Sequence, residues 1–543
     1  MRKYIAFAAL LAAMPMAAQD TYENARLMGN DLNGTARYVG MGGALEALGA
    51  DISTISTNPA AIGMFRHSSA SLSFGAVSQQ DASKFDNLNK TNMSFDQIGF
   101  VWTNRTNSTS YINFAFNYHK SKNFDQLLNA ANSLRGASLS KLAFAKSTKL
   151  SDANGGYYLD TNNDAMWMGW RNSYSNERAY PFTQWDYLYT NAFTMDDVSD
   201  PNSPSNGYSE ASDYLFDRAH RGSISEYDFN ISGNINNRLY LGLTMGLYNV
   251  NYKGYSSYVE SIIDMNDNFR GYLELADEHR ISGAGVDLKA GIIVRPIEES
   301  PFRIGLSVST PTWFDLTSEN YTTIYNNTDK NYYNYGADQL STSEEYDFRY
   351  YTPWKFGLSI GHTVGTTLAF GASYEYTSCG SADTRIIEPS HAYHDEDSHS
   401  DKVMNANTES MLKGVSLLKL GVEFKPDPSL AVRFGYNFQS AMYNDNSFRD
   451  SQLNSEGNAY ASTADFTNWK NTNRITCGLG YKYERLSLDL AYQYSATGGD
   501  FYPFQPNVTF TDPHDGSAGT NIATPSEVNF KRHQLLFTAT YTF

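Results

Sequence analysis

The chain of 543 residues has a formal net charge of −17, from 41 Lys and Arg against 58 Asp and Glu, and 14% of its residues are aromatic. Because a chain with this excess of acid is repelled by phosphate backbones, its composition argues against nucleic acid as a partner. Its 41% hydrophobic content includes no apolar run long enough for a spanning helix, which excludes a helical membrane protein.

Residues 1–18, "MRKYIAFAALLAAMPMAA", have the pattern of a secretory signal peptide. Arg2 and Lys3 precede an apolar run, and small residues precede a predicted cleavage site near Ala18. The run is shorter than the roughly 18 apolar residues of a membrane anchor. We therefore expect the mature protein to leave the cytoplasm. It has only 2 cysteines, so a disulfide framework does not hold it together.

The next segment, residues 34–65, reads "GTARYVGMGGALEALGADISTISTNPAAIGMF" and fits neither a strand period nor a clean helix. It is apolar and glycine-rich, with Gly40, Gly42 and Gly43 close together. A phosphate-binding loop is an alternative for "VGMGGAL". However, the preceding strand, the third glycine and the following acid of a dinucleotide site are missing.

Strict alternation of large apolar and small or polar residues then recurs along the chain. In "YINFAFNYH", residues 111–119, the apolar residues on one face are Ile112, Phe114, Phe116 and Tyr118. Such a pattern is typical of strands that face lipid on one side and water on the other. A soluble β-sandwich also alternates, so this pattern alone leaves both architectures open.

The lengths of the connections favour a barrel. Short turns such as "PDPS" alternate with long loops rich in Tyr, Asn and Asp, as periplasmic turns and outer loops do in outer-membrane proteins. We predict an all-β, transmembrane antiparallel barrel of about 14 strands. The predicted strands begin near Ser69, Phe95, Tyr111, Tyr227, Leu239, Ala284, Phe302, Trp354, Leu368, Val415, Leu430, Arg474, Leu486 and His533.

The C-terminal stretch "HQLLFTATYTF" alternates to the last residue, Phe543. A terminal strand of this kind is expected to pair with the first strand, so that no edge is left unpaired in hydrocarbon. A terminal aromatic residue also resembles the signal by which bacterial barrels reach their insertion machinery. We therefore expect outer-membrane lipid and that machinery to be partners of the chain.

A barrel of this size encloses a lumen that would leak if it were empty. We predict that residues 19–66 form a luminal plug and that residues 67–543 form the barrel, with the largest insert at 120–222. Pro59 fixes its own φ and keeps Asn58 extended, so that the Asn58 amide can bond nearby backbone. A plain turn before the first strand is the alternative for these residues.

The plug sequence "STNPAA" and the strand pattern resemble the FadL/TodX family of outer-membrane transporters for long-chain fatty acids and other hydrophobic compounds. The segments "GAGVDLKAGIIVRPIEESPFRIGLSVSTP", "LAVRFGYNFQSA" and "RITCGLGYKYERLSLDLAYQY" are also similar to strands of that family. The resemblance implies that outer loops capture a hydrophobic ligand. The ligand then displaces the plug and leaves sideways into the membrane through a gap in the wall. By the same resemblance, Asn58, Pro59 and Ala60 belong to the plug. We include Gly40, Gly42 and Gly43 in the predicted gating motif, because glycines allow tight turns.

Two features depart from the family pattern. The insert at 120–222 is longer than a simple outer loop, and the third strand has no Gly or Pro to mark a kink, which leaves the position of the gap open. Within the insert we predict an amphipathic helix for ligand capture, or for packing on the barrel rim. Its apolar face comprises Phe124, Leu127, Leu128, Ala131 and Leu134.

A loop further along, "HAYHDEDSHSD", contains His391, His394 and His399. Imidazoles at this spacing could bind a transition metal or haem iron. We favour a solvated surface loop and predict no metal site and no cofactor.

The sequence thus predicts a monomeric, plugged outer-membrane barrel that passes hydrophobic molecules without enzymatic chemistry. Two alternatives remain open at this stage. One is a barrel for haemin uptake, which the histidine loop would serve. The other is a surface adhesin or structural barrel with a static plug.

Overall fold

The computed structural model describes residues 20–85, 88–150, 157–159, 170–172, 178–179, 182–191, 196–197, 205–206, 208–264, 266–329, 338–387, 398–511 and 516–543. The predicted signal peptide at 1–18 lies outside the described residues, as do His391 and His394. Among the described helices, none is long and apolar enough to cross a membrane.

Fourteen antiparallel strands form the wall, and four of them are built from two segments. The first seven are β1 (Ser69–Gln80), β2 (Thr91–Arg105), β3 (Tyr111–Asn123 and Gln126–Ser133), β4 (Glu210–Ile235), β5 (Leu239–Ile263), β6 (Phe269–Val294) and β7 (Arg303–Ser309 and Trp313–Thr328). The last seven are β8 (Gln339–Tyr351 and Lys355–Val364), β9 (Leu368–Ser378 and Asp383–Ile387), β10 (Gly414–Asp427), β11 (Leu430–Gln439), β12 (Phe466–Tyr483), β13 (Leu486–Tyr502) and β14 (Ser526–Thr542).

The sheet closes on itself, as the C-terminal pattern predicts. β14 pairs with β13 on one side and with β1 on the other, from Ser69 opposite Thr542 to Gln80 opposite Lys531. The backbone N–H of Phe543 extends this contact by donating to the carbonyl of Ser68 at 2.9 Å. The prediction of a closed barrel of about fourteen strands is confirmed.

The two faces of the wall are inverted relative to a soluble protein. Large apolar side chains point outwards on strand after strand, whereas polar and small residues point into the lumen. Examples of outward side chains are Phe114, Leu243, Leu306, Phe356, Phe434 and Ile475. A water-exposed surface of this kind would be unstable, but a lipid-facing surface is favourable. The structure is therefore that of a transmembrane β-barrel whose outer surface faces lipid.

The helices lie at the N-terminus, in the outer loops and in one short turn. They are α1 (Thr21–Leu27), α2 (Ala36–Gly40), α3 (Leu139–Leu150), α4 (Gln184–Asn191), α5 (Lys402–Met411) and α6 (Glu456–Ala459). The 3-10 helices are Ile52–Ser56, Pro59–Met64 and Cys379–Ser381. Short strands outside the wall are Tyr157–Leu159, Trp170–Asn172, Arg178–Ala179, Asp196–Asp197, Ser205–Asn206, Ser398–Ser400, Val508–Thr511 and Ala518–Asn521.

The helix predicted around Phe124 to Leu134 is wrong. Residues Gln126–Ser133 form the second segment of β3 and pair with β4, from Gln126 opposite His220 to Ser133 opposite Asp213. β4 continues well past the end of the first β3 segment, and its backbone needs a partner there. This pairing outweighs the helical spacing of the side chains, because local propensity is weaker than tertiary pairing.

The orientation of the barrel can be tested at two connections. Asp329 lies just after β7, on the side of the long outer loops, whereas Asp427 lies in the tight turn between β10 and β11. Because periplasmic turns are short, we expect antibody on intact cells to reach an epitope tag inserted at Asp329 but not one inserted at Asp427. Labelling at Asp427 alone would mean that the barrel is inserted in the opposite sense.

Candidate functional site: the filled lumen and a window in its wall

The N-terminal segment, residues 20–65, lies against the inner face of the wall, and glycines in the wall permit its close approach. A Cβ atom at Gly371 would lie 1.9 Å from the carbonyl oxygen of Ala44, and one at Gly421 would lie 2.4 Å from that of Met41. Neither separation is sterically possible, so only glycine fits at these positions. The row of directly paired wall glycines comprises Gly361, Gly371, Gly421 and Gly435.

The glycines that the sequence singles out face this row. Gly42 and Gly43 have φ angles of +63° and +85°, a conformation that side chains disfavour. The wall also bonds the segment's backbone: Asn437 donates to the Gly42 carbonyl at 3.2 Å, and Thr476 donates to the Gly40 carbonyl at 3.2 Å. These glycines thus allow a tight turn that packs backbone against backbone.

The Asn-Pro-Ala turn contacts the neighbouring part of the wall, formed by β5, β6 and β7. Asn58 is buried, and its Oδ1 accepts a hydrogen bond at 3.2 Å from the backbone N–H of Ala60, which caps the 3-10 helix that begins at Pro59. Its Nδ2 donates to the carbonyl of Leu306 at 3.5 Å. A Cβ at Gly291 would lie 2.1 Å from Asn58 Oδ1, so this turn also needs a wall glycine.

Buried ion pairs join the segment to β10 and β11. Glu46 accepts from Lys419 Nζ at 2.7 Å, and Arg37 Nε lies 3.2 Å from a carboxylate oxygen of Glu423. Arg433 binds the same carboxylate at 2.6 Å. Removing one partner of such a pair typically costs about 3–5 kcal/mol, because the other charge stays buried. These contacts hold the segment to one half of the barrel.

Helix α1 is anchored by a shared guanidinium. Asp20 caps the helix, accepting from the backbone N–H of Tyr22 at 2.7 Å, and its carboxylate also contacts Arg449. Glu23 lies 3.2 Å from the same guanidinium. Burial, with a further contribution from Asp20, raises the pKa of the Glu23 carboxyl to about 7. The contact between α1 and the loop after β11 therefore contains a group that titrates near neutral pH.

The wall has an interruption between β2 and β3. Residues 97–105 of β2 pair with residues 111–119 of β3. In the described part of the chain, residues 91–95 pair only with β1, and Lys120, Lys122 and Asn123 pair only with β4. We call this interruption the window. Met93, at its rim, is 80% exposed.

The N-terminal segment bridges the window from the inside. The backbone N–H of Asp31 donates to the Ser121 carbonyl at 2.8 Å, and its carboxylate accepts from the backbone N–H of Asn123 at 3.0 Å. Asn33 Nδ2 donates at 3.0 Å both to Asp96 of β2 and to the Lys120 carbonyl of β3. Movement of these few residues away from the wall would leave, among the described residues, only side-chain hydrogen bonds across the window, from Lys120 to Ser94 and from Asn92 to Asp125.

A cavity of about 240 Å³, which we call the upper cavity, lies beside this bridge. Its lining combines aromatic rings with six cationic residues and three acidic ones, Glu23, Asp31 and Asp465. The aromatic residues are Tyr22, Phe124, Tyr443, Phe466, Trp469 and Phe530, and the cationic residues are Arg26, Lys122, Arg218, Arg449, Lys470 and Arg532. A lining of this type fits a molecule with an apolar body and an anionic group.

Two cations of the upper cavity have only neutral hydrogen-bond partners. Arg26 donates to the hydroxyl of Tyr252 at 2.5 Å, and Lys122 donates to the carbonyl of Met28. Within the described residues, no carboxylate lies within 4.0 Å of either one. Buried cations whose hydrogen bonds go only to neutral groups favour an anionic ligand, because the ligand would replace lost hydration.

The residues predicted for ligand capture do not form one surface. Phe124 lines the upper cavity, with its ring 5.2 Å from that of Tyr252. Leu128 and Leu134 pack instead in an apolar cluster of the outer loops, and Leu127 is also buried. Ala131 points outwards and is exposed. The capture role of the five residues stays a prediction.

The histidine loop is described only at its end. His399 is exposed on the short strand that pairs with the second segment of β9. The interpretation of the loop as solvated surface without a metal site stays a prediction, because His391 and His394 lie outside the described residues. The Asp and His residues that the structure brings together lie elsewhere, on the luminal face of β3 and β4.

No protein-family model and no curated protein matches the chain. Among solved structures, it is similar to the toluene transporter TbuX of Ralstonia pickettii, with 11% identity and a TM-score of 0.46 over 94% of this chain and 99% of that one. A FadL homologue of Pseudomonas aeruginosa aligns with 12% identity and a TM-score of 0.48 over 95% of this chain and 99% of that one. For the toluene transporter TodX of P. putida, the identity is 10% and the TM-score 0.41 over 94% and 99% of the two chains.

Sequence reasoning missed the wall glycines, the window and the paired charges of the lumen. The sequence carried a partial signal for Gly371 and Gly421, since each lies on the face of its strand that has small and polar residues. The charges carried a weaker signal: Lys419 and Glu423 also lie on the luminal parity, where an isolated charge needs a partner. The partners, however, lie hundreds of residues away in the N-terminal segment.

Proposed function

We propose that the protein passes hydrophobic molecules with an anionic head, of which long-chain fatty acids are the reference, passively through the outer membrane. The N-terminal segment is the gate, and the window is a lateral exit into lipid. No enzymatic step and no cofactor is needed, because the ligand moves down its own concentration gradient. The protein acts as a monomer, inserted through its C-terminal Phe543 signal.

The window is the observation that carries this proposal. A polar solute has no reason to leave a barrel through a gap that opens onto hydrocarbon, whereas a hydrophobic solute gains free energy by doing so. The bridge across the window consists of a few hydrogen bonds, each worth about 0.5–1.5 kcal/mol. A bound ligand that contacts Asp31 or its neighbours could compensate for their loss. The arrangement is therefore suited to ligand-driven opening.

The upper cavity supports an anionic head rather than a neutral hydrocarbon. Arg26 belongs to the N-terminal segment, whereas Lys122 belongs to β3 at the window. A carboxylate bound between them would contact the gate and the exit at once. The apolar chain of the same ligand would lie along Phe124 and the other aromatic rings of the cavity.

The proposal is tested by comparing two substrates in cells that lack a fatty-acid transporter of their own. We expect the double variant Arg26→Gln, Lys122→Gln to lower oleate uptake at least about tenfold, since each charge-assisted hydrogen bond contributes about 1.5–3 kcal/mol. Uptake of a neutral alkane such as dodecane should stay unchanged.

Lys531→Gln is the matched control, because it removes a lysine whose only described ion pair, with Asp81, lies on an exposed part of the wall. The charge-preserving Lys122→Arg should keep most of the oleate uptake. Wild-type protein that imports neither oleate nor dodecane would rule out the proposal and favour a structural or adhesive barrel. Equal loss of both substrates in the double variant would rule out the head-group site.

A further inference from the structure

A compact charged cluster lies on the luminal face where β3 and β4 pair. His119 of β3 lies directly opposite Glu226 of β4, and Asp228 lies two residues further along the same strand. All three side chains are buried, with both carboxylates fully shielded from solvent. One potential metal-ligand atom from each of them lies within 4.8 Å of the other two.

One oxygen of each of the carboxylates Glu226 and Asp228 already accepts a hydrogen bond, and we call it the outer oxygen. Lys289 Nζ donates to Glu226 Oε1 at 2.7 Å and to Asp228 Oδ1 at 3.0 Å, and it lies 3.0 Å from Asp287. The second oxygen of Asp287 accepts from the hydroxyl of Tyr248 at 2.8 Å. These contacts orient the carboxylates, as outer-shell partners do in metal sites.

The second oxygen of each of these two carboxylates is the inner oxygen, and it accepts no hydrogen bond from the described residues. Glu226 Oε2 and Asp228 Oδ2 are buried, and no donor in the described part of the chain forms a hydrogen bond with either oxygen. The nearest ring nitrogens of His119 lie 3.4 Å and 3.6 Å from them, and the Asn117 amide lies 3.3 Å from His119 Nδ1. An unpaired buried carboxylate oxygen is costly, so this pair of oxygens and the imidazole are arranged for a missing group.

The charges of the cluster indicate what kind of group would fit between the two inner oxygens and the imidazole. Three carboxylates, from Glu226, Asp228 and Asp287, face one ammonium and one imidazole, so acidic groups are in excess in this buried cluster. We propose that the cluster binds one divalent transition-metal ion, of the Zn²⁺ class, through Glu226, Asp228 and one nitrogen of His119. One imidazole and two carboxylates, with water in the fourth position, is a donor set that such ions accept.

The site is reachable from inside the barrel. His119 and Lys289 both line a second luminal cavity, of about 80 Å³, on the other side of the bridge. The ion would join β3 to β4 at the last residue of β3 that pairs with β2. It would therefore stabilise the edge of the window at which the pairing of β2 with β3 ends. This role does not depend on which molecule the barrel transports.

The test uses the full-length protein in detergent, stripped with chelator, incubated with Zn²⁺, desalted and analysed for bound metal by mass spectrometry. We expect one Zn²⁺ per chain, and at least tenfold weaker binding in His119→Ala and in Glu226→Gln. His362→Ala, on another wall strand, should bind like the wild type. The triple variant with His391, His394 and His399 all changed to Ala should also keep the ion.

A second readout guards against misfolded variants. Zn²⁺ should raise the unfolding temperature of the wild-type barrel but not that of His119→Ala, and both proteins should run as folded species on an unheated gel. The proposal is overturned if the wild type takes up no Zn²⁺, which would mean that the cluster carries protons alone. It is equally overturned if His119→Ala binds Zn²⁺ as the wild type does.

Discussion

Deletion of residues 20–65 should convert a nearly silent barrel into a steady ion conductor in planar bilayers. The wall should still fold, because β1 begins at Ser69 and the ladder that closes it against β14 involves no residue of the N-terminal segment. The deleted barrel should therefore keep its resistance to heat in detergent. Without the segment, a barrel of fourteen strands leaves an aqueous lumen.

Asn58→Ala should give an intermediate result. It removes the hydrogen bonds to Ala60 and Leu306. For buried groups this loss is worth roughly 1–3 kcal/mol. Each 1.4 kcal/mol changes the ratio of open to closed barrels about tenfold. Asn107→Ala, in the exposed turn between β2 and β3, is the control and should leave the conductance low. If the wild type, the deletion and Asn58→Ala all conduct equally little, the segment does not close the barrel, and the proposed gate is wrong.

The second large effect is expected at the wall glycines. In Gly371→Val, the new Cβ would overlap the Ala44 carbonyl, and in Gly421→Val it would overlap that of Met41. The N-terminal segment must then shift inwards, at a cost of about 1–3 kcal/mol for overpacking. We expect higher conductance and faster hydrogen exchange in residues 41–47. Gly498→Val is the control, because among the described residues, apart from its two chain neighbours, the new Cβ would meet just Asn529 Oδ1 within 4 Å, at 3.8 Å.

The same substitutions made in the barrel lacking residues 20–65 separate packing from damage to the wall. If Gly371→Val acts through the segment, it should have no further effect on conductance or heat stability once the segment is gone, as expected for coupled sites. An equal loss of heat stability in both backgrounds would show instead that valine disturbs the strand itself.

The strands could be predicted from the sequence because the alternation of apolar and polar residues depends on each strand by itself. Alternation along β3 or β5 requires only that one face meets lipid and the other the lumen, and this condition acts on each residue separately. The strand count and the closing role of the C-terminal stretch followed from the same rule. The pattern failed at Gln126–Ser133, where apolar residues happen to have helical spacing but the free backbone of β4 imposes a strand.

The sequence by itself therefore determined the class of the protein: an outer-membrane barrel with a glycine-rich segment before its first strand. Only the tertiary structure decided which groups meet in the lumen. Glu46 and Lys419 are 373 positions apart, and the bridge across the window joins Asn33 to Asp96 and Lys120. Such contacts follow from the closure of the sheet around the segment, and no periodicity along the chain encodes them. The window likewise exists because β3 leaves β2 while it stays paired with β4, a choice that depends on three strands at once.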